Sequence, residues 1–144
     1  MEKQDFIDFA RENPVCFMAT CDGDQPRVRA LLLFFADDTG FYFGTFAPKN
    51  MCKQLHKNPK VEICFYNHPH DLLEAKQMRL TGKVEFVDDP ALKHRIHEER
   101  IFLDDIAGEN LEPFEEIIKV SAGDLHFWTM MDVMREPQLE HLLF

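Results

Sequence analysis

The sequence predicts an α+β fold, mainly β, built on a six-stranded antiparallel barrel of Greek-key type with short flanking helices. Three observations carry this expectation. Apolar and polar residues alternate in short segments, most clearly Met78, Leu80, Gly82, Val84 and Phe86 against Arg79, Thr81, Lys83 and Glu85. Hairpin-type turns such as Asp22-Gly23-Asp24 and Asp37-Asp38-Thr39-Gly40 join the segments. A single strand–helix–strand unit is visible, between Gly40 and Val61, whereas a doubly wound parallel sheet needs several.

Taken in order, residues 5–12 form an amphipathic helix with Phe6, Phe9 and Ala10 toward the core, ending before Pro14. Residues 15–21 are the first strand. Residues 27–36 are the second, and the unbroken apolar run 30–36 points to burial on both faces, as in a barrel or an interface. An aromatic-rich third strand, 41–46, opens at Gly40. After a turn at Ala47-Pro48, residues 49–57 form a short helix that Asn58-Pro59 stops. Residues 61–67 are the fourth strand, 68–75 a polar loop and 77–87 the fifth strand. Residues 90–100 read as a helix, 113–118 as a further short helix, and 124–131 as a last strand holding the one tryptophan, Trp128. The tail 136–144 is too short to place.

At 144 residues, 45% apolar and with 14 phenylalanines, the chain is expected to be one globular domain over 1–144. Its formal net charge of −10 argues against a nucleic-acid partner, because 26 acidic side chains would repel a phosphate backbone. No apolar run is long enough to span a bilayer, and the acidic start MEKQDFIDFARE does not read as a signal peptide, so a cytoplasmic location is expected. The cysteines Cys16, Cys21, Cys52 and Cys64 contain no C-x-x-C pair and read as reduced thiols. His94 and His97 share helix spacing beside Glu98, a set that could hold a metal, but no other ligand set stands out and no metal is expected.

Two constellations suggest an anion site. Around the start of the 49–57 helix, free backbone N–H groups gather with Thr45, Lys49, Asn50 and Lys53. This is either an anion pocket or an ordinary strand–turn–helix with solvated lysines. In Pro26-Arg27-Val28-Arg29-Ala30, the two arginines lie on one strand face, where they meet either a phosphate or some of the many carboxylates. Glycine-rich phosphate loops are absent. Trp128 is either core or the neighbour of a flat aromatic ligand. No nucleophile–base pairing shows in the spacing and no catalytic residue is assigned, so any enzymatic chemistry would rest on a cofactor.

Together these pieces resemble the pyridoxamine 5′-phosphate oxidase-like family of FMN-binding split β-barrels. The resemblance runs through Ala19-Thr20, Pro26-Arg27-Val28-Arg29, Gly40-Phe41-Tyr42-Phe43 with Thr45, Lys49, Lys53-Gln54-Leu55, Asn58-Pro59 and Val61. It ends in Gln77-Met78-Arg79-Leu80 with Gly82, covering about half the chain. It implies a homodimer with FMN at the subunit interface. Arg29, Thr45 and Lys49 would hold the phosphate, with Arg27, Asn50 and Lys53 as further contacts. Backbone groups of Val28, Ala30 and Leu31 would face the flavin ring, as would Gln77, and Trp128 would reach it from the other subunit.

Two departures stand out. Met51 occupies the position aligned with a family lysine, and Thr129-Met130-Met131-Asp132 stands where the oxidase carries Arg-x-His to grip its vitamin substrate. The resemblance therefore implies an FMN-dependent oxidoreductase related to that oxidase but without its reaction. The alternative is a non-catalytic flavin or haem carrier, with His68 or His70 as the axial ligand of a haem.

Overall fold

Along the first strand, Cys16, Met18 and Thr20 are buried while Val15 and Phe17 on the other face stay exposed, the alternation expected of a half-covered sheet. The same logic organises the whole computed structural model, which describes residues 1–144. Its elements are α1 (Lys3–Glu12), β1 (Val15–Asp22), β2 (Gln25–Leu32), β3 (Phe35–Asp37), β4 (Gly40–Phe46), α2 (Asn50–Lys57) and β5 (Lys60–Tyr66). They continue as β6 (Lys76–Lys83), β7 (Glu85–Phe86), α3 (Pro90–Glu99), α4 (Phe102–Ala107), β8 (Glu115–Val120), β9 (Gly123–Thr129) and β10 (Leu142–Leu143).

The ten strands form two antiparallel sheets, ordered β10-β9-β6-β5-β1-β2 and β3-β4-β8-β7. The α+β barrel of antiparallel strands is thus present in split form, with β2, β10, β3 and β7 left as edges. Phe6, Met18, Phe41, Phe43, Phe65 and Leu80 are among the 21 residues of the core between the sheets. Helix α1 covers one end, stacking Phe6 on Phe127 at 4.3 Å. No helix is long and apolar enough to cross a membrane.

Three local expectations are corrected. The runs 27–36 and 77–87 are each two strands, because the chain crosses from one sheet to the other at Leu33-Phe34 and at Val84. Residues 113–118 are not a helix. Pro113 lies in a 3-10 turn (Glu112–Phe114), after which Ile117, Ile118 and Val120 enter β8 between β4 and β7, none more than 2% exposed. Within the single chain the barrel does not cover both faces of β2: as a sheet edge it leaves Val28 70% and Leu32 46% exposed, so only an interface would cover the second face.

One glycine is dictated by close approach. Gly123 opens β9 at φ +157°, opposite Gly82, and a Cβ there would lie 2.0 Å from the Thr81 carbonyl oxygen.

Candidate functional site

Pairing with β1 sets Arg27 opposite Thr20 and Arg29 opposite Met18, so both arginines project from one face of the edge strand, as the two-residue period requires. Helix α2 packs over that face with Asn50, Lys53, Gln54 and Lys57 on one side, the i, i+3, i+4, i+7 spacing of a helix stripe. Its opposite side buries Met51, Cys52 and Leu55. Between strand and helix lies a cavity of about 820 Å³, lined by these four residues with Arg27, Val28 and Arg29.

The two arginines have different fates. Arg27 pairs with Asp22 at 3.2 Å, an exposed ion pair of small energetic weight. Arg29 has only neutral acceptors. Its Nη1 donates to Thr20 Oγ1 at 2.7 Å and to the Met18 carbonyl at 3.3 Å, and its Nη2 donates to Gln54 Oε1 at 2.8 Å. The Thr20 hydroxyl donates to the same Gln54 oxygen at 2.6 Å. Burial, then repulsion from Arg27, lowers the pKa of Arg29 from its ordinary value. An anion in the cavity would offset both by its attraction for the guanidinium. Arg27, Arg29, Lys53 and Lys57 set four cations against Asp22 there, in a chain whose net charge is −10.

The structure thus gathers Arg27, Val28, Arg29, Asn50 and Lys53 of the expected set. Thr45 stands apart: it is 1% exposed on β4 and accepts a weak bond from Cys52 Sγ at 3.9 Å. Lys49 is the exposed N-cap of α2, with its Nζ 5.8 Å from the Phe46 ring centroid, and neither residue lines the cavity. Thr20, Gln54 and Lys57 belong to the cradle although residue type did not single them out. For Gln54 and Lys57 the available signal was their place in the Asn50–Lys53 stripe.

On the opposite face of the same sheet, a smaller hollow of about 200 Å³ is lined by Phe17, Ala19, Val28, Cys64, Gln77 and Arg79 with Glu62. Val28 borders both hollows. Burial raises the pKa of Cys64, keeping it a thiol, and it donates to Gln77 Oε1 at 3.4 Å. That contact leaves the Gln77 amide nitrogen as the group able to donate outward. Trp128 is the register partner of Gln77 across β6 and β9, so the two share this face. Ala30 lies on it too, opposite Phe17, whereas Leu31 packs against the core.

Comparison with known proteins follows this geometry. The sequence profile described as pyridoxamine 5′-phosphate oxidase matches residues 3–129. A pyridoxine/pyridoxamine 5′-phosphate oxidase of Anaplasma phagocytophilum (strain HZ) is 34% identical over 79 residues, which are 54% of this chain and 36% of that protein. This chain therefore matches about a third of that relative's length. Among solved structures, a NimC/NimA family protein from Clostridium acetobutylicum superposes with a TM-score of 0.75 at 25% identity, covering 98% of this chain and 91% of that one. An FAD-binding protein from Mesorhizobium loti shares the fold, with a TM-score of 0.65 at 16% identity and coverage of 88% and 94%. With 127 consecutive residues inside the matched profile, the chain belongs to the pyridoxamine 5′-phosphate oxidase family.

Proposed function

We propose that this chain is an FMN-dependent oxidoreductase, one FMN-binding domain over residues 1–144 that works as a homodimer. The observation that carries the reading is Arg29, a half-buried guanidinium held by three neutral oxygens beside two lysines and an asparagine. Such a group is matched by a phosphate ester, which supplies the missing charge through forked hydrogen bonds.

Both ends of FMN find suited residues. The cradle of Arg29, Lys53, Asn50 and Lys57 fits the phosphate, with Arg27 alongside. The face carrying Ala19, Val28, Ala30 and Phe17, with Gln77 as donor and Trp128 nearby, fits a flat ring with polar edges. The departure at Met51 is tolerated because that side chain is 3% exposed in the core, and Lys53 and Lys57 bring charge to the cavity from the same helix. Bound FMN would supply the hydride or electron transfer, and the chain would anchor, orient and shield it.

The dimer rests on the outer face of β1 and β2, where Val15, paired with Leu32, and the neighbouring Phe17 and Val28 form an exposed apolar patch. Thr129 and Asp132 cap each other after Trp128, and Met131 is 84% exposed. The cation beside them, Arg135, is paired with Asp132 at 3.3 Å, and no Arg-x-His follows Trp128, which favours a substrate other than a phosphorylated vitamin.

Reduced nicotinamide mixed with the FMN-loaded protein tests turnover. Bleaching of the flavin faster than for free FMN, followed by reoxidation in air, is expected. Tight FMN binding with no acceleration would instead identify a carrier.

A further inference from the structure

A second polar centre lies away from the cradle, where α3, α4 and the turn Glu112–Phe114 meet. Its middle is His97, whose side chain is 9% exposed. Asp104 on α4 accepts from His97 Nε2 at 2.8 Å through Oδ2, while its Oδ1 accepts from the Leu111 backbone N–H at 3.0 Å. Asp104 anchors the ring through Nε2, so in the neutral imidazole Nδ1 is the nitrogen left to act as a ligand. That Nδ1 is buried and has no hydrogen-bond partner.

Around this nitrogen stand Glu112 Oε1 at 3.5 Å and Glu98 Oε1 at 3.8 Å. His94, one turn before His97, places Nδ1 2.5 Å from Glu112 Oε1 and Nε2 4.0 Å from Glu98 Oε1. Ligand atoms around a tetrahedral zinc ion lie about 3.3 Å apart, given bonds of roughly 2.0–2.1 Å. The His97–Glu112 and His97–Glu98 separations lie close to that spacing, and an ion would replace the present His94–Glu112 hydrogen bond. His94, His97 and Glu98 already offer ligand atoms within 4.8 Å of one another.

We infer that His94, His97, Glu98 and Glu112 form a binding site for a zinc-class divalent cation, with Asp104 as the positioning residue behind His97. The ion would tie α3 to the turn that leads into β8, and through Asp104 to α4. It would therefore staple the helical excursion between β7 and β8. His94 and Glu98 are 63% and 57% exposed, which leaves an entry path from solvent. This departs from the expectation of no metal drawn from sequence, where Glu112 and Asp104 lie too far along the chain to join His94 and His97 by spacing.

The other cluster of this kind, Asp124, His126 and His141, gathers its ligand atoms as closely but has a single carboxylate. The two imidazoles stack at 4.3 Å and 23°, which sets their in-plane lone pairs side by side, and Asp124 already bonds His141 at 2.7 Å.

Cobalt(II) and zinc(II) are the probes. The full-length protein is stripped with a chelator, titrated with cobalt(II) and read as a difference spectrum, so that any flavin absorption cancels. Visible d–d bands saturating at one ion per chain and lost on adding zinc(II) are expected. His94→Ala and Glu98→Gln, both at exposed positions that leave the core untouched, should each weaken cobalt(II) binding at least tenfold. Asp104→Asn should weaken it 10- to 100-fold, the range for a group behind a ligand. Absence of tetrahedral bands in the wild-type protein, or bands that His94→Ala leaves unchanged, would overturn the site. Because these readouts need no flavin, failure here leaves the FMN reading untouched, and the converse also holds.

Discussion

Arg29 and Gln54, 25 positions apart in sequence, are joined by a 2.8 Å bond from Nη2 to Oε1, and the same oxygen accepts the Thr20 hydroxyl at 2.6 Å. An edge-strand cation is thereby held by a helix residue and a neighbouring strand before any ligand arrives. Preorganisation of this kind reduces the ordering cost of binding. It also makes the cradle a joint product of β1, β2 and α2.

Arg29→Ala should weaken FMN binding by about 2 kcal/mol or more, roughly 30-fold, the scale for losing a charge-assisted contact. Arg29→Lys should recover part of this, since it keeps the charge and loses the fork. Quenching of flavin fluorescence on titration measures both variants, and unchanged affinity in Arg29→Ala would remove Arg29 from the site.

Gln54→Leu keeps the volume but deletes the oxygen that serves both Arg29 and Thr20. A smaller loss of FMN affinity, about 1 kcal/mol, is expected for a positioning contact. In the double variant with Arg29→Ala, the losses should fall short of their sum, because the two residues act through one contact. Full additivity in the same titration would show that Gln54 acts independently.

Much of this was legible in the sequence, and the failures have physical causes. Alternation marked β6, and the period of two placed Arg27 and Arg29 on one face. A continuous run carries no mark where a chain passes from one sheet to another, so 27–36 and 77–87 each read as one strand. Pro113 suggested a helix start, yet the β-branched Ile117, Ile118 and Val120 answer to the strands beside them. Thr45 and Lys49 were joined to Arg29 by the family resemblance, and the cavity beside Arg29 is reached from α2 by Asn50, Lys53, Gln54 and Lys57 instead. Gln54 was invisible as a partner, because its role depends on how α2 packs on β1 and β2.

His126 gives the stability a pH dependence. It is 8% exposed, and burial, followed by repulsion from His141 and Arg79, lowers its pKa below the ordinary value, with Asp124 opposing. The folded state therefore binds this proton less readily than the unfolded chain. Stability from this group is full above about pH 6.5 and is lost as pH falls below that value. His126→Phe keeps a ring against His141 and removes the charge, so its melting temperature should fall less between pH 7 and pH 5 than that of the wild type. Parallel curves would refute the assignment.

Leu32→Asp places a charge in the apolar patch opposite Val15, on a residue that is 46% exposed in the single chain. Analytical ultracentrifugation should show a shift from dimer to monomer with an unchanged circular dichroism spectrum. A dimer of undiminished stability would move the interface elsewhere.

An absorption spectrum of the freshly purified protein, with mass analysis of whatever heat releases, decides whether this chain is a flavoprotein. Paired flavin bands and released FMN are the expected result, either as isolated or after adding FMN. A sharp haem band would contradict it and turn attention to His68 and His70, and a colourless protein that ignores added FMN would contradict it outright.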